Sequence, residues 1–439
     1  MSLHRERKHT LGYAELVAIA LGGMVGGGIF TILGISVELV GNLTPVAIII
    51  GGLLASLAAY SYVKLGLYYK DEGATYSFFK KSFDGSHTAA SIIGWYVLFG
   101  YISTMALYAY TFSSYAISSF EFGTDPWVRK GVAAGVIILF TLVNVWSVNG
   151  MGKLEDIMVY TKLVILLAIS GVLIWKADTP FPTFLNHMAE DTKSAGILNI
   201  FIVASVTFVA YEGFQLVLNA VKEMKHPDKN IPRAIYTAIG LAMLIYVVLS
   251  TAAIMAIPAQ EIIDNKESAL AAGAGKAIGK IGHALVIIGA VLATSSAISG
   301  TLFGSSRQMA VVAGDGYMPA ILGRHKRQIP VFAIICMAIC AIALIMSGGL
   351  ELILEFGSIT FLLVSLLMAI ANFKKRKDTH SAGWFTLIAL VGLAAGTCLI
   401  LYYEIKNKPE QMLFIGGMYI ILTLVAWLYA RYHDKHAKA

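Results

Sequence analysis

Charge is what this chain has least of: only 13% of its 439 residues are Asp, Glu, Lys or Arg, about half the share in a soluble domain. Cysteine is nearly missing as well. Cys336, Cys340 and Cys398 are the only three, and all sit in apolar stretches, so neither a disulfide framework nor a thiolate metal site is expected. The ten histidines lie in tails, loops or the ends of apolar runs, with His283 closest to one. That argues against a histidine proton relay through a membrane. No glycine-rich loop ends in the lysine that nucleotide binding requires, and no cluster of acids or histidines has the spacing of a catalytic or metal centre. Catalytic residues, metals and cofactors are therefore not expected, and neither is work driven by ATP. Energy must come from an ion gradient, an exchanged solute or downhill flow.

Apolar residues are what is there. They make up 57% of the chain, and the mean hydropathy is +0.74. Runs of about 20 residues recur, each able to cross a bilayer core of ~30 Å. Twelve are read, at 14–40, 44–68, 88–118, 131–149, 156–175, 197–221, 234–257, 282–312, 330–347, 352–373, 384–403 and 411–430. The first is too long for a cleaved signal peptide and lacks a small-residue cleavage site. The chain thus reads as an all-α polytopic membrane protein, with the lipid bilayer as its solvent.

Orientation follows from the basic residues. With the N-terminus inside, cytoplasmic segments hold 23 of the 33 lysines and arginines, the opposite face holds nine, and Lys162 is the remaining one. This bias predicts a multi-pass protein of the cell (plasma or inner) membrane with both termini cytoplasmic. The formal charge of +7 then reflects topology and requires no nucleic-acid partner. Basic runs such as His4-Arg5-Glu6-Arg7-Lys8 and Lys374-Lys375-Arg376-Lys377 read as loop ends facing anionic headgroups.

Against that apolar background three places stand out. Lys162 is a basic side chain inside an otherwise apolar span, seven residues past Glu155, or roughly 10 Å along a helix. An ammonium at that depth costs about 2.5–3.5 kcal/mol on insertion scales, so it either faces a cavity or partner or snorkels to the interface. The first span carries five glycines in seven residues, Gly22-Gly23-Met24-Val25-Gly26-Gly27-Gly28, which either unwinds the helix around a cavity or packs a neighbour closely through GxxxG spacing. The sixth span sets Glu212 and Gly213 together in mid-run. Interruptions five spans apart are what an inverted repeat would show, with a substrate site between them. Glu212 has three readings: binding a substrate amine, titrating with protons, or accepting hydrogen bonds from freed backbone amides.

Three stretches in order resemble the amino acid–polyamine–organocation superfamily of secondary transporters. They are the glycine-rich break Gly22 to Phe30, the loop Glu223-Met224-Lys225-His226-Pro227-Asp228-Lys229-Asn230-Ile231-Pro232-Arg233-Ala234, and Ser295-Ser296-Ala297 through Arg307 to Gly314-Asp315-Gly316-Tyr317-Met318-Pro319. The resemblance covers essentially the whole chain and is nearest to prokaryotic sodium-independent amino acid transporters bearing a lysine in the fifth helix. It implies twelve helices in a LeuT-like 5+5 inverted repeat with broken helices 1 and 6, plus two C-terminal helices. The expected parts are an N-tail 1–13, a first repeat 14–175, a second repeat 197–373, helices 11 and 12 over 384–430, and a C-tail 431–439.

The resemblance also implies roles. An amino acid would sit between the two breaks, among Met24, Gly26, Gly27, Gly28, Val209, Ala210, Tyr211 and Glu212. The amides of Gly27 and Gly28 would hold its carboxylate, and the carbonyls of Met24, Val209 and Glu212 its amine. Lys162 would stand where sodium-coupled relatives bind sodium, facing the carbonyl of Gly22 and the hydroxyl of Ser295 or Ser296. Proton binding and release there would bias alternating access. A lysine that only ties helices together, as in an obligate exchanger of counter-transported solutes, is the alternative. Two departures matter. Val209 replaces a bulky aromatic, leaving Phe208, Tyr211 or Phe214 as gate candidates, and Glu212 adds a carboxylate that would favour a cationic amino acid or polyamine if it faces the cavity. A channel would want a polar stripe and a sensor an extra domain, and neither pattern is present. The sequence carries no reading on a partner subunit.

Overall fold

A computed structural model describes residues 11–146, 151–194, 196–265, 267–326 and 329–436. The run His4–Lys8, most of the 1–13 tail, the end of the 131–149 span and the last three residues of the C-tail lie outside the described residues, as does the side chain of Glu155. Among the described residues ten helices are long and apolar enough to cross a membrane, and two shorter apolar helices, Tyr13–Met24 and Val331–Ser347, join them. Strand pairing among them is limited to two isolated bridges, Leu11 with Met224 and Lys326 with Ile329. This is the all-α polytopic architecture that twelve apolar runs predict, since in lipid a helix satisfies every backbone group internally.

In chain order the helices are α1 (Tyr13–Met24), α2 (Gly28–Val40), α3 (Thr44–Tyr69), α4 (Ala74–Ser82), α5 (His87–Ala116) and α6 (Pro126–Trp146). Then come α7 (Met151–Trp175), α8 (Phe181–Ser194), α9 (Ile197–Thr207), α10 (Pro227–Ala256), α11 (Ala259–Asp264) and α12 (Ala269–Ile278). The last are α13 (Lys280–Gly314), α14 (Val331–Ser347), α15 (Leu350–Lys374), α16 (Gly383–Asn407) and α17 (Pro409–His436). Three of these, α8, α11 and α12, fall in stretches the hydropathy reading leaves as loops. They are short and carry acids or lysines, so no apolar run marks them.

The first and sixth spans are broken. α1 ends at Met24, Val25 leaves helical geometry, and α2 restarts at Gly28 with no capping side chain on Gly27. The sixth span runs as α9, then a 3-10 turn Phe208–Tyr211, then extended Glu212 and Gly213 at φ +128°, then a second 3-10 stretch Phe214–Ala220. α5, α10, α13 and α15 surround the two breaks.

One face of the protein is tied shut. The backbone of Leu11 pairs with Glu223 and Lys225. Lys222 meets Glu72 at 3.0 Å and Lys70 meets Asp228 at 2.7 Å. Asp315 accepts from Lys80 at 2.8 Å and from the Tyr76 hydroxyl at 2.7 Å. The α17 end joins this face, where the His433 ring stacks on Tyr317. Both described chain ends therefore share it, and we refer to it as the terminal face.

Asp71 in the same layer bonds Lys81 and the Gly73 amide. Partial burial alone would raise its carboxyl pKa, but the Lys81 ammonium and the amide outweigh that and hold it below the ordinary range. A depressed carboxyl contributes stability that is full above its unfolded pKa of about 3.9 and lost as pH falls through the folded value. Lys81→Met is expected to cost no more than about 1 kcal/mol at neutral pH, because the pair is part-exposed. It should also flatten the acid limb of a thermal-stability profile, and an unchanged acid limb would assign the depression to the Gly73 amide and the Ser77 hydroxyl.

Candidate functional site

The two breaks meet in backbone contact. A methyl group built on Gly213 would lie 2.5 Å from the carbonyl carbon of Gly23 and 2.6 Å from the amide nitrogen of Met24. Only glycine on both strands allows this approach, so Gly23 and Gly213 serve closeness as well as unwinding. Gly26, Gly27 and Gly28 are equally confined. A methyl on Gly26 would meet the Tyr108 ring and Ala297, one on Gly27 would meet Thr111, and one on Gly28 would meet Ala210, all at 2.7–3.0 Å.

Tyrosines bind the broken strands together. The Tyr246 hydroxyl, on α10, lies 2.7 Å from the carbonyl of Met24 and 2.9 Å from that of Ala210, one from each break. Tyr108 on α5 donates to the Gly23 carbonyl at 2.9 Å. Carbonyls freed by unwinding need donors when buried, and these phenols supply them. Tyr246→Phe should leave two carbonyls short of a donor, at about 1–3 kcal/mol, and slow substrate turnover while membrane insertion stays normal. Wild-type uptake rates from Tyr246→Phe would mean that the bridge plays no part in the cycle.

Lys162 is fully buried. Its ammonium donates to the Gly22 carbonyl at 3.1 Å and to Ser296 Oγ at 2.8 Å, and Ser296 donates in turn to the Ala293 carbonyl at 3.0 Å. α7 is thereby linked to the last turn of α1 and to α13, with Ser296 as a serine on the ammonium. The snorkelling geometry left open by the sequence does not occur.

Glu212 is 2% exposed. Its Oε2 accepts from Gln215 Nε2 at 2.5 Å, while Oε1 has no hydrogen-bond partner among the described residues. It lines a central cavity of about 10 Å³ with Gly23, Gly213, Tyr101, Tyr108 and Phe361. That volume admits about one water, so the site is closed around itself. The Phe208 and Phe214 rings are buried away from this cavity, Phe214 edge-on to Tyr62 at 5.3 Å. Tyr211 turns to α3 and donates to the Ile48 carbonyl at 2.8 Å. The Val209 carbonyl accepts from the Glu212 amide at 3.1 Å, closing the 3-10 turn.

A second cavity, of about 370 Å³, lies on the face opposite the termini and is lined by Thr31, Ile35, Glu267, Glu351, Leu352 and Gln411 among others. Thr31 sits one turn into α2, where its hydroxyl bonds Thr111 at 2.9 Å. The larger cavity therefore reaches toward the break from one side, while the ion-paired terminal face closes the other.

Residues absent from the sequence reading complete the site: Tyr246, Tyr108, Tyr101, Gln215 and Phe361. Only Gln215, a polar residue beside Glu212 in an apolar span, carried a signal. The tyrosines and Phe361 are ordinary span residues until packing brings them to the breaks.

Two broken helices of membrane-spanning length thus meet around a closed cavity, with a larger one on the face opposite the termini. The chain belongs to the amino acid permease family, whose profile matches residues 11–428. It is 27% identical to Inner membrane transport protein YbaT of Escherichia coli (strain K12), over 96% of each chain. It is 28% identical to Large neutral amino acids transporter small subunit 2 of Oryctolagus cuniculus, over 82% of this chain and 69% of that one, and the Homo sapiens protein of that name matches to the same extent. The family match and these relatives make the protein a membrane permease rather than an enzyme.

Proposed function

We propose that the protein is a sodium-independent amino acid transporter that works by alternating access and imports its substrate together with protons, with Lys162 as the coupling site. The observation that carries this reading is the buried ammonium between the Gly22 carbonyl and Ser296. A fixed cation there repels a sodium ion. Loss of its proton would weaken the hold of α7 on α1 and α13 together. Residues 14–175 and 197–373 act as the two inverted repeats, and the substrate lies between their breaks. Amides of Gly27 and Gly28 at the uncapped start of α2 receive the carboxylate, helped by the helix dipole. Carbonyls of Met24, Val209 and Glu212 receive the amine once Tyr246 and the 3-10 turn give way. The basic-residue bias makes the terminal face cytoplasmic, so the larger cavity faces outward.

Uptake of pooled labelled amino acids into empty proteoliposomes, acid outside and free of sodium, tests the reading. Accumulation that a protonophore collapses is the expected result. Uptake that appears only after preloading the vesicles with amino acid would replace symport with exchange. One observation favours a narrower substrate class: Glu212 lines the cavity with an unpartnered oxygen. If it is ionised, lysine, arginine or a polyamine should compete best for uptake. Competition by neutral amino acids alone would overturn that narrower reading and leave the first intact.

A further inference from the structure

On the face opposite the termini, α15 and α16 bring three carboxylates to one lysine. Lys408, in the link between α16 and α17, bonds Glu351 Oε2 at 3.1 Å and also Glu355. Burial alone would lower the pKa of its ammonium, but the charges of Glu355 and Glu351 overcome this and raise it, so Lys408 is fixed as a cation. Glu355 is 2% exposed and Glu404 is wholly buried. Their carboxyl groups lie within hydrogen-bonding reach of each other. Neither oxygen of Glu404, nor Oε2 of Glu355, has a donor among the described residues. Tyr403 lies beside the cluster, its ring 5.8 Å from the Lys408 ammonium, and Glu267, paired with Arg129, lines the same cavity as Glu351.

Charge counting decides the state of this cluster. With both ionised, Glu355 and Glu404 would bring two negative charges into contact out of water, and Glu404 would have no donor for either oxygen among the described residues. Like-charged carboxylates that share a site do not both ionise, and a buried charge without a partner costs several kcal/mol. Two oxygens in hydrogen-bond contact need a hydrogen between them. We propose that Glu355 and Glu404 hold one proton between them and form, with Glu351 and Lys408, a proton-binding site serving the larger cavity. Glu351 lines that cavity and shares Lys408 with Glu355, so it gives the proton its route to solvent. α15 also carries Phe361, about two turns further on, to the wall of the central cavity. The proton-binding site is separate from Lys162 and does not rest on the symport reading.

The test is infrared difference spectroscopy of the full chain in lipid nanodiscs as pH is raised. The wild type should show a carboxylic-acid carbonyl band at neutral pH that Glu404→Gln removes, since Gln reproduces the shape of the protonated acid. Lys408→Met, which deletes the cation favouring ionisation, should keep that band to a pH about one unit or more higher. Lys162→Met should leave it in place, which separates this site from the fifth-helix lysine. Any band from Glu212 persists in Glu404→Gln and is recognised that way. Identical spectra from wild type, Glu404→Gln and Lys408→Met would overturn the proposal.

Discussion

Lys162→Met is expected to abolish gradient-driven accumulation while leaving the protein folded and inserted. An inward gradient of one pH unit is worth about 1.4 kcal/mol, or about tenfold accumulation at one proton per substrate, and the variant should show none. Methionine keeps the length and apolar volume of the lysine stem, so packing against α10 and α13 survives. What goes is the bond to Gly22 and Ser296. Ser296 keeps its own acceptor in the Ala293 carbonyl, while the Gly22 carbonyl loses the ammonium as donor at about 1–3 kcal/mol, so a modest loss of stability should accompany the loss of coupling. Counterflow of substrate should persist and lose its dependence on pH. Full accumulation that still follows pH would remove Lys162 from the coupling mechanism. The symport reading would then turn to Glu212 or to the Glu355–Glu404 pair.

The Lys162 contact was legible because bilayer physics leaves a mid-span lysine few options, and the family resemblance named Gly22 and the serines as its partners. The breaks were legible for a similar reason. Glycine runs and a Glu-Gly pair have no use in a lipid-facing helix, so their presence in the first and sixth spans points inward. Tyr246 had no such mark. Tyrosine is common in membrane helices, and only the approach of α10 to both breaks shows why a hydroxyl is needed there. The Glu355–Glu404 pair was hidden in another way. Each acid lies near a span end, where a carboxylate facing water is ordinary, and the link through Lys408 depends on how α16 turns back on α15. Side chains that violate the solvent of their own segment can be read from sequence; those that become unusual through a distant neighbour cannot.

Gly213→Ala is expected to cost the fold more than any of the other substitutions. Gly213 sits at φ +128°, a region in which a side chain costs roughly 1–3 kcal/mol. The added carbon would also stand 2.5 Å from the Gly23 carbonyl carbon and 2.6 Å from the Met24 nitrogen. Those are backbone atoms held by the Tyr108 bond to Gly23 and the Tyr246 bond to Met24, so they cannot swing aside as a side-chain tip would. Relief requires the two breaks to separate, which pulls Met24 and Ala210 off Tyr246 and opens the cavity wall that Glu212 and Gly213 share. The variant should lose transport, with its thermal midpoint lowered by an amount equivalent to about 3 kcal/mol or more. Gly416→Ala provides the contrast: a methyl there meets nothing within 4 Å and lies in a helix, where alanine is favoured by about 1 kcal/mol, so stability and uptake should stay at wild-type levels or better. Near-normal uptake by Gly213→Ala would mean that the transport cycle does not need the breaks in contact. The substrate would then have to be held mainly by α5, α10 and α15 around them.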